Sequence, residues 1–244
     1  MRLDWGVVGA RACLADVCVI VDVLSFSTAV TVAVERGMQV LPFAWKGAQA
    51  DEFALENDAV LAVGRLEATK DGAVAAPSLS PASLMECEPA DRLVLPSPNG
   101  STIAAALREA GALVLIGCLR NAEAVGERVA DEVARGRSVA VIAAGERWSS
   151  DDSLRPALED LLGAGAVISR LLTVAPEVSV SPEAQAAARL FGASEHVLES
   201  WLSESVGGRE LANRGFEADV TVASDLNASP VVPEMVKGAF VSQS

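Results

Sequence analysis

The sequence predicts an α/β fold in which helices cover both faces of one sheet. Short runs of Val, Ile and Leu recur without polar alternation, a pattern typical of strands buried on both faces. Amphipathic segments of helical period separate these runs, as in three-layer α/β proteins. Glycines directly follow three of the helical segments, where a left-handed cap residue is common. These observations together predict a three-layer αβα architecture with a largely buried mixed sheet.

The apolar runs predict six strands in chain order. They lie at Val17–Val23, Gln39–Phe43, Ala59–Val63, Arg92–Pro96, Ala112–Ile116 and Ser138–Ala143. The amphipathic segments predict five helices, at Ser27–Arg36, Gly47–Leu55, Ser101–Ala110, Ala122–Arg135 and Pro156–Leu172. Gly37, Gly111 and Gly136 are the glycines expected to end three of these helices.

Two stretches differ from this alternation of strands and helices. Residues Gly64–Pro89 contain scattered Ser, Pro and Ala with little periodicity, which predicts a long excursion of the kind that often carries function. After Thr173 the pattern becomes mainly helical, with one strand predicted at Asp219–Ala223. The helices predicted there are Pro182–Phe191, Ser194–Glu204 and Gly208–Arg214. Because no linker or repeat interrupts the chain, we predict a single domain over residues 1–244 with a mainly helical C-terminal part.

Composition and charge exclude several classes of partner. The 244 residues include 19 Lys and Arg against 33 Asp and Glu, which gives a formal net charge of −14. A chain this acidic repels phosphate backbones and anionic lipid, so we expect neither nucleic acid nor a membrane as a partner. All but three of the cations are Arg, whose planar guanidinium suits a compact anion. We therefore expect a small-molecule anionic substrate.

The sequence shows no pattern of a membrane helix, a signal peptide or a zinc site. No apolar run approaches the roughly 18 residues that a membrane helix needs, and Met1–Asp16 lacks the order of a signal peptide. The four cysteines form no C-x-x-C pair, and with one histidine, His196, they assemble no zinc site. We expect a reducing, cytoplasmic location. A homodimer stays open as an assembly.

The first candidate motif is Val21–Thr28, where a predicted strand ends and a helix begins. Ligands of open α/β sheets bind at the carboxyl ends of strands. Asp22 would supply a carboxylate there for a metal or for proton transfer, and the hydroxyls and amides of Ser27 and Thr28 would bind an anion. Helix capping is the alternative role for Ser and Thr at this position.

Two further motifs, Leu95–Thr102 and Gly117–Ala122, repeat the order strand, turn, helix. Free amides and the positive end of a helix dipole at such turns suit phosphate or sulfonate. Asn-Gly is also a common turn and Ser a common helix cap, so each motif taken alone is weak evidence for an anion site. Arg120, at the rim of the second motif, is a candidate clamp for the anion. Its alternative is a solvated surface arginine.

A pair of acids, Glu159 and Asp160, interrupts the apolar segment Ala157–Val167. The pair would hold a divalent cation, which prefers carboxylate and phosphate oxygens. The alternative is that two acids near a helix start stabilise its dipole. Gly163 and Gly165 follow, and close helix packing explains them because no strand precedes them as a dinucleotide site requires.

Taken in order, these motifs resemble the 2-phosphosulfolactate phosphatase (ComB) family, of which the chain is identified as a divergent member. The resemblance runs from about Val17 to about Pro233. Its motifs are V-D-V-L-x-x-S-T, L-P-S-P-N-G-S-T, G-C-L-R-N-A-x-A-V, V-I-A-A-G and L-E-D-x-L-x-G-A-G-A. The family resemblance implies a magnesium-dependent acid phosphatase of coenzyme M biosynthesis. It would hydrolyse 2-phosphosulfolactate to sulfolactate and phosphate on an αβα fold peculiar to the family.

The resemblance also implies roles for individual residues. Mg²⁺ would be held by some of Asp22, Glu159 and Asp160, and the catalytic residues would be Asp22, Asn99, Glu159 and Asp160. The residues expected to bind substrate are Ser27, Thr28, Arg65, Ser97, Gly100, Ser101, Arg120 and Asn121.

The chain departs from the family pattern at four places. Ser25 stands where the family usually has Arg, Gly64–Leu66 stands for G-E-R, Leu79–Pro81 for N-S-P, and Ala144 for Cys. A charge-assisted guanidinium contact is worth about 1.5–3 kcal/mol, and Ser25 cannot replace it. Two functions therefore stay open. One is a phosphatase for a small dianionic ester, and the other is a degenerate member that binds a small phosphorylated or sulfonated anion, or is structural, without turnover.

Overall fold

A computed structural model describes residues 1–44, 47–65 and 77–243 of the chain. The described strands are β1 (Arg2–Trp5), β2 (Val17–Val21), β3 (Gln39–Phe43), β4 (Val60–Leu61), β5 (Arg92–Pro96), β6 (Leu113–Gly117), β7 (Val139–Ala143), β8 (Glu146–Arg147), β9 (Leu154–Arg155), β10 (Pro233–Val236) and β11 (Ala239–Ser242). The helices are α1 (Gly6–Ala12), α2 (Phe26–Glu35), α3 (Ala48–Glu56), α4 (Pro81–Glu86), α5 (Gly100–Glu109), α6 (Ala122–Ala134), α7 (Leu158–Val174), α8 (Pro182–Ser194), α9 (Leu198–Glu204), α10 (Val206–Ala212) and α11 (Glu217–Ser224). Short 3₁₀ turns lie at Leu119–Asn121 and Glu195–Val197.

A nine-stranded mixed sheet forms the centre, in the order β1-β7-β2-β6-β10-β11-β3-β5-β4. The first four strands in this order are parallel to one another, and so are the last three. The hairpin β10–β11 joins the two groups and pairs antiparallel on both sides, with Glu234 opposite Leu115 and Phe240 opposite Val40. This insertion makes the sheet mixed, as the sequence predicted.

The central strand β2 shows why helices cover both faces. All five of its residues are buried. Val17, Val19 and Val21 pack in one apolar cluster with residues of α6, α7 and α8. Cys18 and Ile20 pack in a second cluster with residues of α2 and α5. The three-layer αβα prediction is therefore confirmed.

Most predicted elements are present, with ends that match or are shifted by up to four residues, but one prediction is wrong. Asp219–Ala223 is not a strand and lies within helix α11. The alternating Val, Thr and Val suggested a strand. However, Glu217 and Asp219 lie in the first turn, where a helix dipole favours acids. Val220 and Ala223, three residues apart, bury one helical face in the core.

Other parts of the fold gave weaker sequence signals. The edge elements β1 and α1 and the hairpin β10–β11 were not predicted, and the predicted strand Ala59–Val63 shortens to Val60–Leu61. Gly37, Gly111 and Gly136 have the predicted positive φ of 86°, 79° and 79°.

The predicted excursion Gly64–Pro89 includes residues 66–76, which lie outside the described residues. Leu66, part of the second departure from the family pattern, lies outside them too. Within the described ranges, no helix is long and apolar enough to cross a membrane.

Candidate active site

Asp22 follows strand β2 directly and is buried in a tight turn. Its backbone N–H donates to Ser27 Oγ at 2.9 Å, and that hydroxyl donates to the carbonyl of Ile20 at 3.1 Å. Thr28 donates its hydroxyl to the carbonyl of Val23 at 2.5 Å. Ser27 and Thr28, both predicted to bind substrate, thus use their hydroxyls to hold the turn that presents Asp22.

Asp160 ties this turn to the loop that follows strand β7. Its Oδ1 accepts the backbone N–H of Val23 at 2.7 Å, and its Oδ2 accepts the N–H of Gly145 at 2.8 Å. Burial raises the pKa of Asp160 well above its usual range, and the charges of Asp22 and Glu159 raise it further. Both oxygens are engaged by amides, so Asp160 fixes the relative positions of the two strand ends.

The turn after strand β5 reaches the same place through Asn99. Its Nδ2 donates to the carbonyl of Gly145 at 3.2 Å and to Glu146 Oε2 at 3.4 Å. Its Oδ1 accepts from Nε of Arg147 at 3.2 Å. Sequence analysis missed Glu146. The available signal was the acid directly after Gly145 at a strand end, where Gly145–Arg147 reads G-E-R in this chain.

Three carboxylates, Asp22, Glu146 and Glu159, lie close enough to influence one another, and we call them the acid cluster. Burial raises the pKa of Asp22 to about 7, with the charge of Glu146 as the next cause. Burial also raises the pKa of Glu146, where the charge of Glu159 adds to the effect. At Glu159, burial raises the pKa against an opposing hydrogen bond from Ser205. Burial and mutual repulsion therefore disfavour the charged forms of the three carboxyls in the acid cluster.

The acid cluster has no paired cation among the residues that the structure describes. The ion pairs within 4.0 Å there involve other acids, such as Asp219, Glu132 and Glu210. In the same ranges, no group of three or more His, Cys, Asp and Glu side chains is placed to hold a metal ion. A cation at the cluster would therefore need water or a ligand to complete its coordination.

A cleft of about 490 Å³ adjoins the acid cluster through Glu146. Four arginines line it, and Ser25 does too, at the position where the family usually has Arg. The arginines are Arg65, Arg147, Arg155 and Arg214. Arg155 pairs with both oxygens of Glu210 at 3.1 Å, and its guanidinium lies 5.6 Å from the ring centre of Trp148. Arg65 and Arg147 are also ion-paired, with Asp219 and Asp152. The cleft thus places guanidinium groups, three of them held by acids of the protein, beside the acid cluster.

Arg120 and Asn121, both predicted to bind substrate, lie after strand β6 and do not line this cleft. Arg120 Nη1 donates to the carbonyl of Val222 and to Asp225 Oδ2, each at 3.1 Å. Asn121 is buried, and its amide group donates to the carbonyl of Val231 at 2.9 Å. Both side chains hold the C-terminal region against the sheet.

The remaining predicted residues shape the turn after strand β5. The N–H of Ser97 donates to the carbonyl of Phe43 at 3.0 Å, and the hydroxyl of Ser101 donates to the carbonyl of Leu95 at 3.4 Å. Gly100 packs so tightly on Phe26 that a side chain there would collide with the ring. The structure therefore brings together Asp22, Asn99, Glu159, Asp160 and Arg65, with the small residues as their support.

Comparison with known proteins gives two matches over most of the chain. Residues 9–238 match the family model described as 2-phosphosulpholactate phosphatase. A protein of Pseudothermotoga lettingae, named "Probable 2-phosphosulfolactate phosphatase", is 25% identical over 229 residues, which cover 93% of each chain. The range matched by the family model spans the positions of the acid cluster.

Proposed function

We propose that the chain, which belongs to the 2-phosphosulfolactate phosphatase family, hydrolyses a small anionic phosphate monoester with Mg²⁺. The family name makes 2-phosphosulfolactate the first substrate to test, with sulfolactate and phosphate as products. The observation that carries the proposal is the acid cluster, which has no paired cation among the described residues and borders a cleft lined by arginines.

The donor atoms of the acid cluster suit Mg²⁺. This ion is usually held by one or two carboxylates, several waters and a substrate phosphate, rather than by a cage of protein ligands. Asp22 and Glu159 would supply the carboxylates. Asp160, whose oxygens accept two backbone amides, would position them. A bound Mg²⁺ polarises a phosphoryl group and lowers the pKa of a bound water.

The protein's own side chains account for the other requirements of hydrolysis. Arg65 borders the cleft and would neutralise phosphate oxygens, a role in which a guanidinium is favoured over an ammonium. Glu146 lines the cleft, is oriented by Asn99 and has a raised pKa, so it would accept the proton of the attacking water. The arginine-lined cleft would hold the rest of the anionic substrate.

Phosphate release from a panel of small phosphoesters, including 2-phosphosulfolactate, tests the proposal with and without Mg²⁺. We expect Mg²⁺-dependent release by the unmodified chain, and its loss in Asp22→Asn. Asp225→Asn is the matched control, because it removes an acid that pairs with Arg120 away from the cleft. Absence of release from every ester would contradict the proposed hydrolysis.

One observation favours a second function, which is binding without turnover. Ser25 lines the cleft where the family usually has Arg, so one charge for a phosphate is missing. In that case phosphate or a sulfonated acid would bind and no ester would be hydrolysed. Calorimetric titration with inorganic phosphate and with sulfolactate, run beside the release assay, separates the two functions.

A further inference from the structure

Arg65 is held on one side by the protein itself. Its Nε donates to Asp219 Oδ2 at 2.7 Å, and its Nη2 donates to the carbonyl of Leu24 at 2.8 Å. The side chain is only 16% exposed, and the residue lines the cleft beside the acid cluster. A guanidinium has five N–H donors in a rigid fork, so three donors of Arg65 have no partner among the described residues and are available to a ligand.

Asp219, at the other end of this contact, is a buried carboxylate with several donors. Its side chain is 1% exposed. Oδ2 accepts from Arg65, while Oδ1 accepts from the hydroxyl of Ser80 and from the N–H of Ala82 at 3.2 Å. Burial of an ionised carboxylate is costly unless such partners satisfy it. Helix α11 therefore places a buried carboxylate, both of whose oxygens accept hydrogen bonds, against Nε of Arg65.

We propose that Asp219 is a positioning residue for the reaction, and that it fixes the guanidinium of Arg65 toward phosphate oxygens in the cleft. Asp219 does not touch the substrate and acts only through Arg65. A guanidinium held in advance loses less conformational freedom when it binds an anion, so its contact contributes more to binding. This inference rests on the proposed function, because it gives Arg65 a phosphate to bind.

The substitution Asp219→Asn keeps the size of the side chain but removes its charge and one acceptor oxygen, so it tests the positioning of Arg65 without changing the packing. Asparagine has one acceptor oxygen, whereas Arg65 Nε–H and Ala82 N–H lie against different oxygens of Asp219 and each needs an acceptor. One of these donors must lose its partner, and the ionic contact with Arg65 is lost in either orientation. Hydrogen-bonding partners that orient metal ligands change affinity or activity by roughly 10–100-fold when they are mutated, and we expect an effect of the same order for a partner that orients a guanidinium.

A double-mutant cycle with Arg65→Ala tests whether Asp219 acts through Arg65. We expect kcat/KM for the best phosphoester to fall roughly tenfold or more in Asp219→Asn. In the Arg65→Ala background the same substitution is expected to change kcat/KM less than about twofold. Asp225→Asn, which breaks an ion pair beside the same helix, is expected to leave kcat/KM unchanged. Circular dichroism checks that each variant is folded.

Two further measurements keep the inference testable if Asp219→Asn does not fold or if turnover is absent. Arg65→Lys keeps the charge but lacks the fork, so we expect a loss of kcat/KM close to that of Arg65→Ala. Activity near that of the unmodified chain would overturn the inference. Without turnover, the same cycle is read from binding of inorganic phosphate by calorimetry.

The outcomes distinguish this inference from the proposed function. Additive losses in an active enzyme, with Asp219→Asn equally damaging in both backgrounds, would overturn the positioning role alone. A chain that neither hydrolyses phosphoesters nor binds phosphate would overturn the proposed function and this inference together. A loss of kcat/KM caused by Asp219→Asn in the chain that retains Arg65, but not in Arg65→Ala, would support both.

Discussion

Glu132 in helix α6 and the acid cluster at the ends of strands β2 and β7 are carboxylates in opposite surroundings. Glu132 is 3% exposed and forms ion pairs with Arg128, Arg135 and Arg137, two of them at 2.6 Å. Burial acts to raise the pKa of Glu132, but hydrogen bonds from Arg128 and Arg137 outweigh it, and the pKa lies below its usual range. In the acid cluster the pKa of each carboxyl is raised.

The difference separates an acid that serves the fold from acids that are available to a ligand. Three arginines neutralise Glu132, so the fold gains from its charge. The acid cluster has no such partner among the described residues, although four arginines line the adjoining cleft. Its charge must be met by protons or by a cation.

Removing one charge from the acid cluster is expected to have the largest effect. Asp22→Asn should lower Mg²⁺-dependent phosphate release at least roughly 100-fold, because the cation that Asp22 would hold contributes several kcal/mol to stabilising the transition state. Glu132→Gln, the matched removal of a structural acid, should leave kcat within about twofold. Steady-state assays of both variants check this. Equal losses in the two variants would contradict the comparison.

Addition of Mg²⁺ is expected to stabilise the protein through the acid cluster. A ligand at 100 times its Kd raises the free energy of unfolding by about 2.7 kcal/mol. We expect a shift in Tm for the unmodified chain and for Glu132→Gln, but none for Asp22→Asn. Thermal unfolding with Mg²⁺ and with matched ionic strength from NaCl measures it. An identical shift in all three would show that the ion acts elsewhere.

Removing the structural acid is expected to lower stability without affecting metal binding. Glu132→Gln leaves three arginines without their carboxylate, at a cost of about 1–2 kcal/mol in the free energy of unfolding. The value is moderate because Arg135 and Arg137 are partly exposed and water can solvate them. Urea unfolding at pH 7 measures the difference. A variant as stable as the unmodified chain would mean that the three ion pairs contribute nothing net.

The two kinds of acid are expected to give opposite pH dependence in the metal-free protein. Asp22 has a pKa raised from 3.8 to about 7, so the folded state binds more protons than the unfolded state between these values. Its contribution to stability therefore falls as pH rises toward 7. Glu132 has a lowered pKa, so its contribution is present above its usual pKa of 4.5 and is lost as pH falls.

Urea unfolding at pH 6 and pH 8 measures this contrast. We expect the metal-free chain to be more stable at pH 6, and Asp22→Asn to lose part of that difference. Glu132→Gln should retain it, because Glu132 does not titrate in this range. A difference between the two pH values that is unchanged in Asp22→Asn would contradict the raised pKa.

The sequence predicted the parts of the site that follow from local pattern. Asp22 at the end of an apolar run and the Glu159–Asp160 pair both lie at the predicted edge of the sheet, because carboxyl ends of parallel strands meet there. The separate roles of the pair were not predictable. Asp160 accepts two amides from distant loops, whereas Glu159 faces other carboxylates, and this difference depends on tertiary contacts.

What the sequence did not predict depends on long-range packing. Glu146 becomes part of the site because Asn99, 47 positions earlier, donates to its carboxylate. Asp219 was assigned to a strand, since its neighbours have β propensity, and its contact with Arg65 spans 154 positions. Arg120 has a side chain suited to binding an anion, but it donates hydrogen bonds to Asp225 and to the carbonyl of Val222 instead.

Calorimetric titration of the metal-free protein with Mg²⁺, in the unmodified chain, Asp22→Asn and Glu132→Gln, tests the proposed role of the acid cluster most directly. The unpaired carboxylates predict one Mg²⁺ site per chain in the unmodified protein and in Glu132→Gln, and loss of that site in Asp22→Asn. No binding by the unmodified chain, or undiminished binding by Asp22→Asn, would contradict the proposal that this cluster holds the cation.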